Sequence, residues 1–176
     1  MKRLLLLRHA KSSWRDQGLV DFDRPLNARG RKAAPVMGRY IASHGLVPDR
    51  VLCSSAVRAQ ETWDRVGGAL ALGTQGDGPE VKLYRSLYLA SPGRMLEIIQ
   101  RQPPALSCLL LIAHNPGLEN LTLRLAGRDS DRAALMRATE KFPTAALAEL
   151  LHDAETWAEL APGGARLARF VIPADL

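Results

Sequence analysis

At 176 residues, 47% of them hydrophobic and 24% charged, the chain reads as one soluble globular domain spanning 1–176, large enough to bury most of its apolar surface. A net charge of +6 suits an anionic partner or a phosphorylated substrate; the absence of any run of five Lys/Arg and the few aromatic residues argue against nucleic acid. Nowhere do the roughly eighteen apolar residues of a membrane span run together, and the opening Met-Lys-Arg-Leu-Leu-Leu-Leu has too short an apolar stretch for a signal peptide. Cys53 and Cys108 lie in apolar contexts without metal-ligand spacing, so reduced thiols in a cytoplasmic protein are expected rather than a disulfide.

Along the chain, apolar strand-like runs alternate with helical patterns, the signature of an α/β fold with a mostly parallel sheet. Leu4–Leu7 is the first strand and leads into a polar loop holding Asp16, Asp21, Asp23 and Pro25. Asn27 then caps a helix carrying Ala33, Ala34, Met37, Tyr40 and Ile41 on one stripe, which stops at Gly45. Arg50–Cys53 is the second strand. A helix with Ala59, Thr62, Trp63, Val66 and Leu70 in register follows it and ends at Gly73. The Gly73–Pro79 connection lacks the Gly-Lys-Ser/Thr of a phosphate-cradling loop and receives no chemistry. Val81–Tyr84 is a short strand. Ser91-Pro92 opens a helix through Met95, Leu96 and Ile99, stopped by Pro103-Pro104.

Cys108–Ala113 has the most continuous strand pattern, and a helix capped by Asn115 runs from it to Gly127. Ser130–Ala138 reads as a further short helix. Beyond Thr144 the pattern changes, and Ala145–Leu151, Thr156–Leu160 and Arg166–Ile172 read as antiparallel strands extending the sheet, the last two joined by a turn at Pro162-Gly163-Gly164.

Three segments each follow an apolar strand and open a loop or helix: Arg8-His9, Ser54-Ser55-Ala56-Val57-Arg58 and His114-Asn115. Open α/β sheets bind ligands at the carboxyl ends of their strands. Two arginines there match a phosphoryl group with paired hydrogen bonds and supply the charge that a metal would otherwise bring. A neutral imidazole between them can attack phosphorus. Singly, each residue has a plainer reading: a histidine at a strand end is commonly structural, Arg58 a surface charge, and Glu61 a helical partner of Arg58 or Arg65. Their coincidence at one sheet edge is what the plainer reading does not supply.

These same residues resemble a known family. Leu7-Arg8-His9-Ala10 is similar to the Arg-His-Gly signature of the histidine phosphatase superfamily, Ser54–Thr62 to its second block, and Ala113-His114-Asn115-Pro116 to its third. Asp23–Gly30 and Lys141-Phe142-Pro143-Thr144 are similar to the SixA-type phosphohistidine phosphatase branch. The resemblance implies a three-layer αβα fold of the phosphoglycerate mutase type. It implies that His9 becomes phosphorylated, that Arg8, Arg58 and His114 hold the phosphoryl oxygens, and that Glu61 orients an arginine. No cofactor and no metal are implied.

Two departures from the family pattern stand out. Ala10 replaces the usual glycine, and the loop Leu87-Tyr88-Leu89-Ala90-Ser91-Pro92 lacks the carboxylic acid with which many members protonate a leaving oxygen. An alkoxide needs that proton, whereas imidazole leaves more readily, so the gap favours phosphohistidine on a protein over a small phosphate ester. Asp16, Asp21 and Asp23 in the first loop remain available to fill it. Short connections with no roof over the site also suit a macromolecular substrate. The competing readings are a small-ester phosphatase or mutase of the same superfamily, a non-catalytic phosphate-binding module, and a cysteine phosphatase built on Cys53 and Arg58. The last has four residues between Cys and Arg where its loop needs five. His44 and His152 read as structural or exposed.

Overall fold

Apolar runs that must be buried on both faces dictate the middle of a parallel sheet. The computed structural model describes residues 1–71 and 78–176. Among these residues, six strands form one sheet: β1 Lys2–Arg8, β2 Arg50–Ser54, β3 Glu80–Tyr84, β4 Cys108–Ala113, β5 Leu147–His152 and β6 Arg166–Val171. Their spatial order is β3-β2-β4-β1-β5-β6. The first four in that order are parallel, and β5 runs antiparallel to both of its neighbours. The parallel sheet with an antiparallel C-terminal extension is thus as expected.

Five helices among the described residues cover the two faces: α1 Ala28–Ser43, α2 Val57–Ala71, α3 Pro92–Gln100, α4 Gly117–Leu125 and α5 Arg132–Glu140. Successive strand residues point to opposite faces. Leu5, Leu7, Leu110 and Ile112 therefore pack with Met37 and Ile41 of α1 and Ala59 and Val66 of α2. Leu4, Leu6, Leu109 and Leu111 pack on the other side with Met95, Leu118, Leu121 and Ala138 of α3, α4 and α5. The result is three layers. Each leucine so buried contributes roughly 1.5–3 kcal/mol.

Local signals set most boundaries. The Asn27 side chain accepts the Gly30 amide and Ser91 accepts that of Arg94, while Gly45, at φ +64°, follows α1. The predicted stop of α2 at Gly73, and residues 73–77 of the connection after it, lie outside the described residues.

Other expectations are corrected. Thr156–Leu160 is not a strand but a single 3₁₀ turn, Trp157–Glu159. The Glu159 carboxylate takes both the amide and the hydroxyl of Thr156, and the buried Trp157 donates its indole N–H to the Leu106 carbonyl. These local bonds close the segment on itself. β5 begins at Leu147 because Ala145 sits at φ +62°, its N–H shared by the Arg8 and His9 carbonyls. Asn115 stands one residue ahead of the α4 cap, which is Pro116, although its side chain still accepts the Glu119 amide. α5 starts later than Ser130 because Asp131 caps it. No helix among the described residues is long and apolar enough to cross a membrane.

One close approach fixes the loop after β1. At Gly30 an added Cβ would lie 2.1 Å from the Lys11 carbonyl oxygen, so only glycine lets α1 rest against that loop. Gly30→Ala is expected to destabilise the protein by about 1–3 kcal/mol in urea titrations, the range for forced overpacking. An unchanged midpoint would contradict the contact.

Candidate active site

Parallel pairing of β1 with β4 sets Arg8 opposite Ala113, and the His9 amide donates to the Ala113 carbonyl at 3.1 Å. The next residue of each strand is a histidine, so the rings of His9 and His114 emerge side by side with centroids 5.1 Å apart. β2, the other neighbour of β4, delivers Ser54 to the same edge, and the first turn of α2 delivers Arg58. All four predicted phosphate-site residues, Arg8, His9, Arg58 and His114, therefore share one end of the sheet.

A hydrogen bond decides the His9 tautomer. His9 Nδ1 lies 2.8 Å from the Ala10 carbonyl oxygen, which can only accept, so Nδ1 carries the proton. Nε2 keeps its lone pair, and the Arg58 Nε–H points at it from 3.4 Å. His114 Nε2 is 2.7 Å from the Ser54 hydroxyl oxygen, which itself accepts the Ala56 amide. The Ser54 hydroxyl has a proton to give His114 Nε2, and in that tautomer His114 Nδ1–H is a donor. That Nδ1 is buried and has no partner among the described residues.

Arg8 gives one guanidinium nitrogen to the Phe142 carbonyl at 2.8 Å, while its buried Nε likewise lacks a partner among the described residues. Buried donors are seldom left unpaired, and unpaired ones at a sheet edge that also carries a lone-pair nitrogen call for acceptor oxygens. Burial, reinforced by Arg58 and Arg8, pushes the His9 pKa down to about 3; burial, His9 and Arg58 do the same for His114. Both rings are neutral at physiological pH. The arrangement can hold a tetrahedral oxyanion and present it to an unprotonated imidazole nitrogen.

Three further residues complete the site. Asp21 meets Arg58 twice, through its carbonyl at 2.7 Å and its carboxylate at 3.0 Å. Tyr88 donates its hydroxyl to the same carboxylate at 2.5 Å and sets its ring edge-on to His114. Ser54, as above, fixes the second histidine. Asp21 had been one of three loop aspartates open to a role, and the structure brings it to Arg58. Burial raises the Asp21 pKa, but the Tyr88 and Arg58 hydrogen bonds outweigh it and hold the group at about 2.

Glu61 departs from expectation. Its carboxylate accepts the Leu26 amide at 2.6 Å and so ties the first loop to α2; the acidic partner of Arg58 is Asp21. Thr62 adds a second tie, accepting the Ala10 amide and donating to the Arg58 carbonyl. Cys53 is buried beneath the site, its thiol bonded to the Ser54 carbonyl and pushed by burial up to about 12, which removes it as a nucleophile. His44 stacks on Tyr40, and His152 donates to the Gly164 carbonyl.

An imidazole nucleophile set among arginines on an αβα scaffold defines a phosphoryl-transfer enzyme. The chain belongs to the histidine phosphatase superfamily, in its SixA-type branch, and is a histidine-nucleophile phosphatase. The histidine phosphatase superfamily (branch 1) model matches residues 4–77. An uncharacterised protein of Mycobacterium tuberculosis is 37% identical over 168 residues, 95% of this chain and 99% of that one. A protein assigned as the phosphohistidine phosphatase SixA of Nakamurella multipartitia superposes with a TM-score of 0.83 at 27% identity, covering 98% of this chain and 96% of its own. Its counterpart from Agrobacterium tumefaciens gives 0.80 at 28% identity, covering 98% of each chain.

Neutral buried imidazoles have a thermodynamic signature. In the unfolded chain they titrate near 6.5, so unfolding takes up protons below that value, and stability falls as the pH drops from about 6.5 toward 3. The slope is at most about 1.4 kcal/mol per pH unit for each histidine. Urea unfolding of His9→Asn and His114→Asn between about pH 4 and 7 should each show an acid loss shallower by one proton's worth than wild type. Parallel curves would contradict the neutral, buried state.

Proposed function

We propose that this single-domain protein dephosphorylates phosphohistidine on a protein, without a metal, through a phosphohistidine intermediate on His9. The observation that carries the reading is the His9 Nε2 lone pair, tautomerically fixed by the Ala10 carbonyl, with the Arg58 Nε–H 3.4 Å away and the His114 ring beside it. In this reading Nε2 attacks phosphorus while the bond to the leaving nitrogen breaks, and its electron pair stays with the substrate ring. Arg8, Arg58 and His114 hold the equatorial oxygens as charge redistributes. Water then attacks the phosphoenzyme, releasing inorganic phosphate and restoring neutral His9. The two guanidiniums supply the positive charge, and Glu61 serves indirectly by anchoring the first loop through Leu26.

The substrate follows from what the site can protonate. A general acid for an alkoxide must hold its proton near neutral pH. Asp21, the carboxylate bonded to Arg58, is ionised well below that, which disfavours phosphate esters and supports a leaving group that departs as neutral imidazole.

Two features support a macromolecular partner. Trp14 (69% exposed), Val20 and Leu89 place apolar side chains in solvent on the loops that carry Asp21 and Tyr88. A cleft of about 690 Å³ beside Trp14 is lined by Lys11, Arg15, Arg29 and Arg31 and by no carboxylate, which suits an acidic protein surface. The buried thiols of Cys53 and Cys108, neither in a disulfide, fit a cytoplasmic setting.

Rapid mixing with phosphoimidazole should trap an acid-labile, alkali-stable phosphoenzyme, mapped to His9 by mass spectrometry. His9→Ala should abolish both trapping and turnover, and Arg58→Ala should reduce kcat by roughly 10²–10³-fold. EDTA should leave turnover intact. Wild-type turnover by His9→Ala, or a strict requirement for a divalent cation, would overturn the mechanism.

A further inference from the structure

One group in the site has the wrong sign for a phosphate. We propose that Asp21 selects the substrate: its carboxylate accepts a hydrogen bond from the protonated ring nitrogen of a bound phosphohistidine, the nitrogen distal to phosphorus. This rests on the phosphohistidine phosphatase reading given above.

Placement is the first argument. A single guanidinium, that of Arg58, reaches His9 Nε2 through its Nε at 3.4 Å and Asp21 Oδ2 through its Nη2 at 3.0 Å. Attacking nitrogen and carboxylate are therefore separated by one guanidinium, the group that cradles the phosphoryl oxygens. A leaving group bound on that phosphoryl has Asp21 as its neighbouring anion.

Availability is the second. Arg58 is 3% exposed, whereas the Asp21 side chain is 41% exposed, so the carboxylate faces the open side of the pair. Oδ2 takes both the Arg58 and Tyr88 donors, and Oδ1 takes the Arg24 Nε–H at 3.0 Å. A carboxylate oxygen accepts two hydrogen bonds, which leaves Oδ1 with capacity for one more. Three donors from three different segments hold it in place.

Chemistry is the third. An ionised carboxylate repels a phosphate dianion and has no proton to give an alkoxide, so it offers a phosphate ester only a penalty. A phosphohistidine ring protonated on its distal nitrogen is a cation, and a nearby carboxylate favours that form. When the P–N bond of this form breaks, the electron pair returns to the ring and the product is neutral imidazole, which keeps its distal proton. From the unprotonated form the ring must leave as imidazolate, a far stronger base. Asp21 thus does the work of a general acid without transferring a proton. The enzyme's own ring is built the same way, since His9 Nδ1–H is held by the Ala10 carbonyl. The phosphoryl group passes between two imidazoles, each with its distal N–H on an oxygen.

The test compares Asp21→Asn with wild type on phosphoimidazole and on p-nitrophenyl phosphate. The ratio of kcat/KM values, imidazole over ester, should fall by about tenfold or more, the worth of one hydrogen bond to a charged group. A second measurement needs no variant. Wild type should turn over 1-methyl-3-phosphoimidazolium, which has the charge but no ring N–H, about tenfold or more slower than phosphoimidazole. If Asp21→Asn loses both activities in step, or the methylated substrate is handled as well as its parent, Asp21 only braces Arg58 and the proposal falls while the His9 phosphoenzyme stands. A wild-type protein that forms no phosphoenzyme at all overturns both this proposal and the reading beneath it.

Discussion

The pairing of Arg8 with Ala113 across two parallel strands is the constraint on which the rest of the structure depends. β1 and β4 lie in the middle of the sheet and are apolar on both faces, so hydrophobic burial fixes their position in the layers. It also fixes their register, because a slip of one residue would exchange the faces of every leucine. Once the register is set, His9 and His114 must leave adjacent strands at the same level. Neither histidine chooses its partner; the core does.

Burial at that edge then sets the electrostatics. Both rings are nearly removed from water, and with two arginines beside them the protonated forms are disfavoured twice over. A guanidinium as buried as Arg58 is rarely left without an anion. Asp21 supplies it, and Tyr88 and Arg24 hold Asp21 in turn. The positive charge that a phosphoryl group needs is thereby kept in a folded protein before any substrate arrives, at the expense of one carboxylate standing in the site.

How much of this the sequence discloses depends on the range of the interaction. The strands Leu4–Leu7 and Cys108–Ala113, and Arg8, His9 and His114 that follow them, are legible because burial writes itself as a continuous apolar run. Caps such as Asn27 and Ser91 were legible because they act over three residues. Thr156–Leu160 was misread because alternation is shared by a strand and by a turn that buries one tryptophan, and only the distant Leu106 carbonyl decides between them. Glu61 was misread for a related reason. Helical neighbours at four-residue spacing are visible in a sequence, whereas the Leu26 amide across the fold is not. The Tyr88–Asp21 bond joins residues 67 apart, and no local pattern announces it.

The free protein carries a penalty that the proposed substrate would remove. Arg8 Nε and, in the tautomer that takes the Ser54 proton, His114 Nδ1 are buried donors without acceptors among the described residues, and each such group costs about 1–3 kcal/mol. They cannot swing away to find one, because Arg8 is pinned by the Phe142 carbonyl and His114 by Ser54. Nor can the backbone relax, since Ala10 is held by Thr62 and the following loop by Gly30 and Glu61. In the proposed mechanism phosphoryl oxygens satisfy both donors at once, so part of the free energy withheld from folding becomes free energy of binding. Because those donors are already aimed, little reorganisation remains to be done as charge redistributes on phosphorus. The rigidity of the loop after β1 is therefore a catalytic property as well as a structural one.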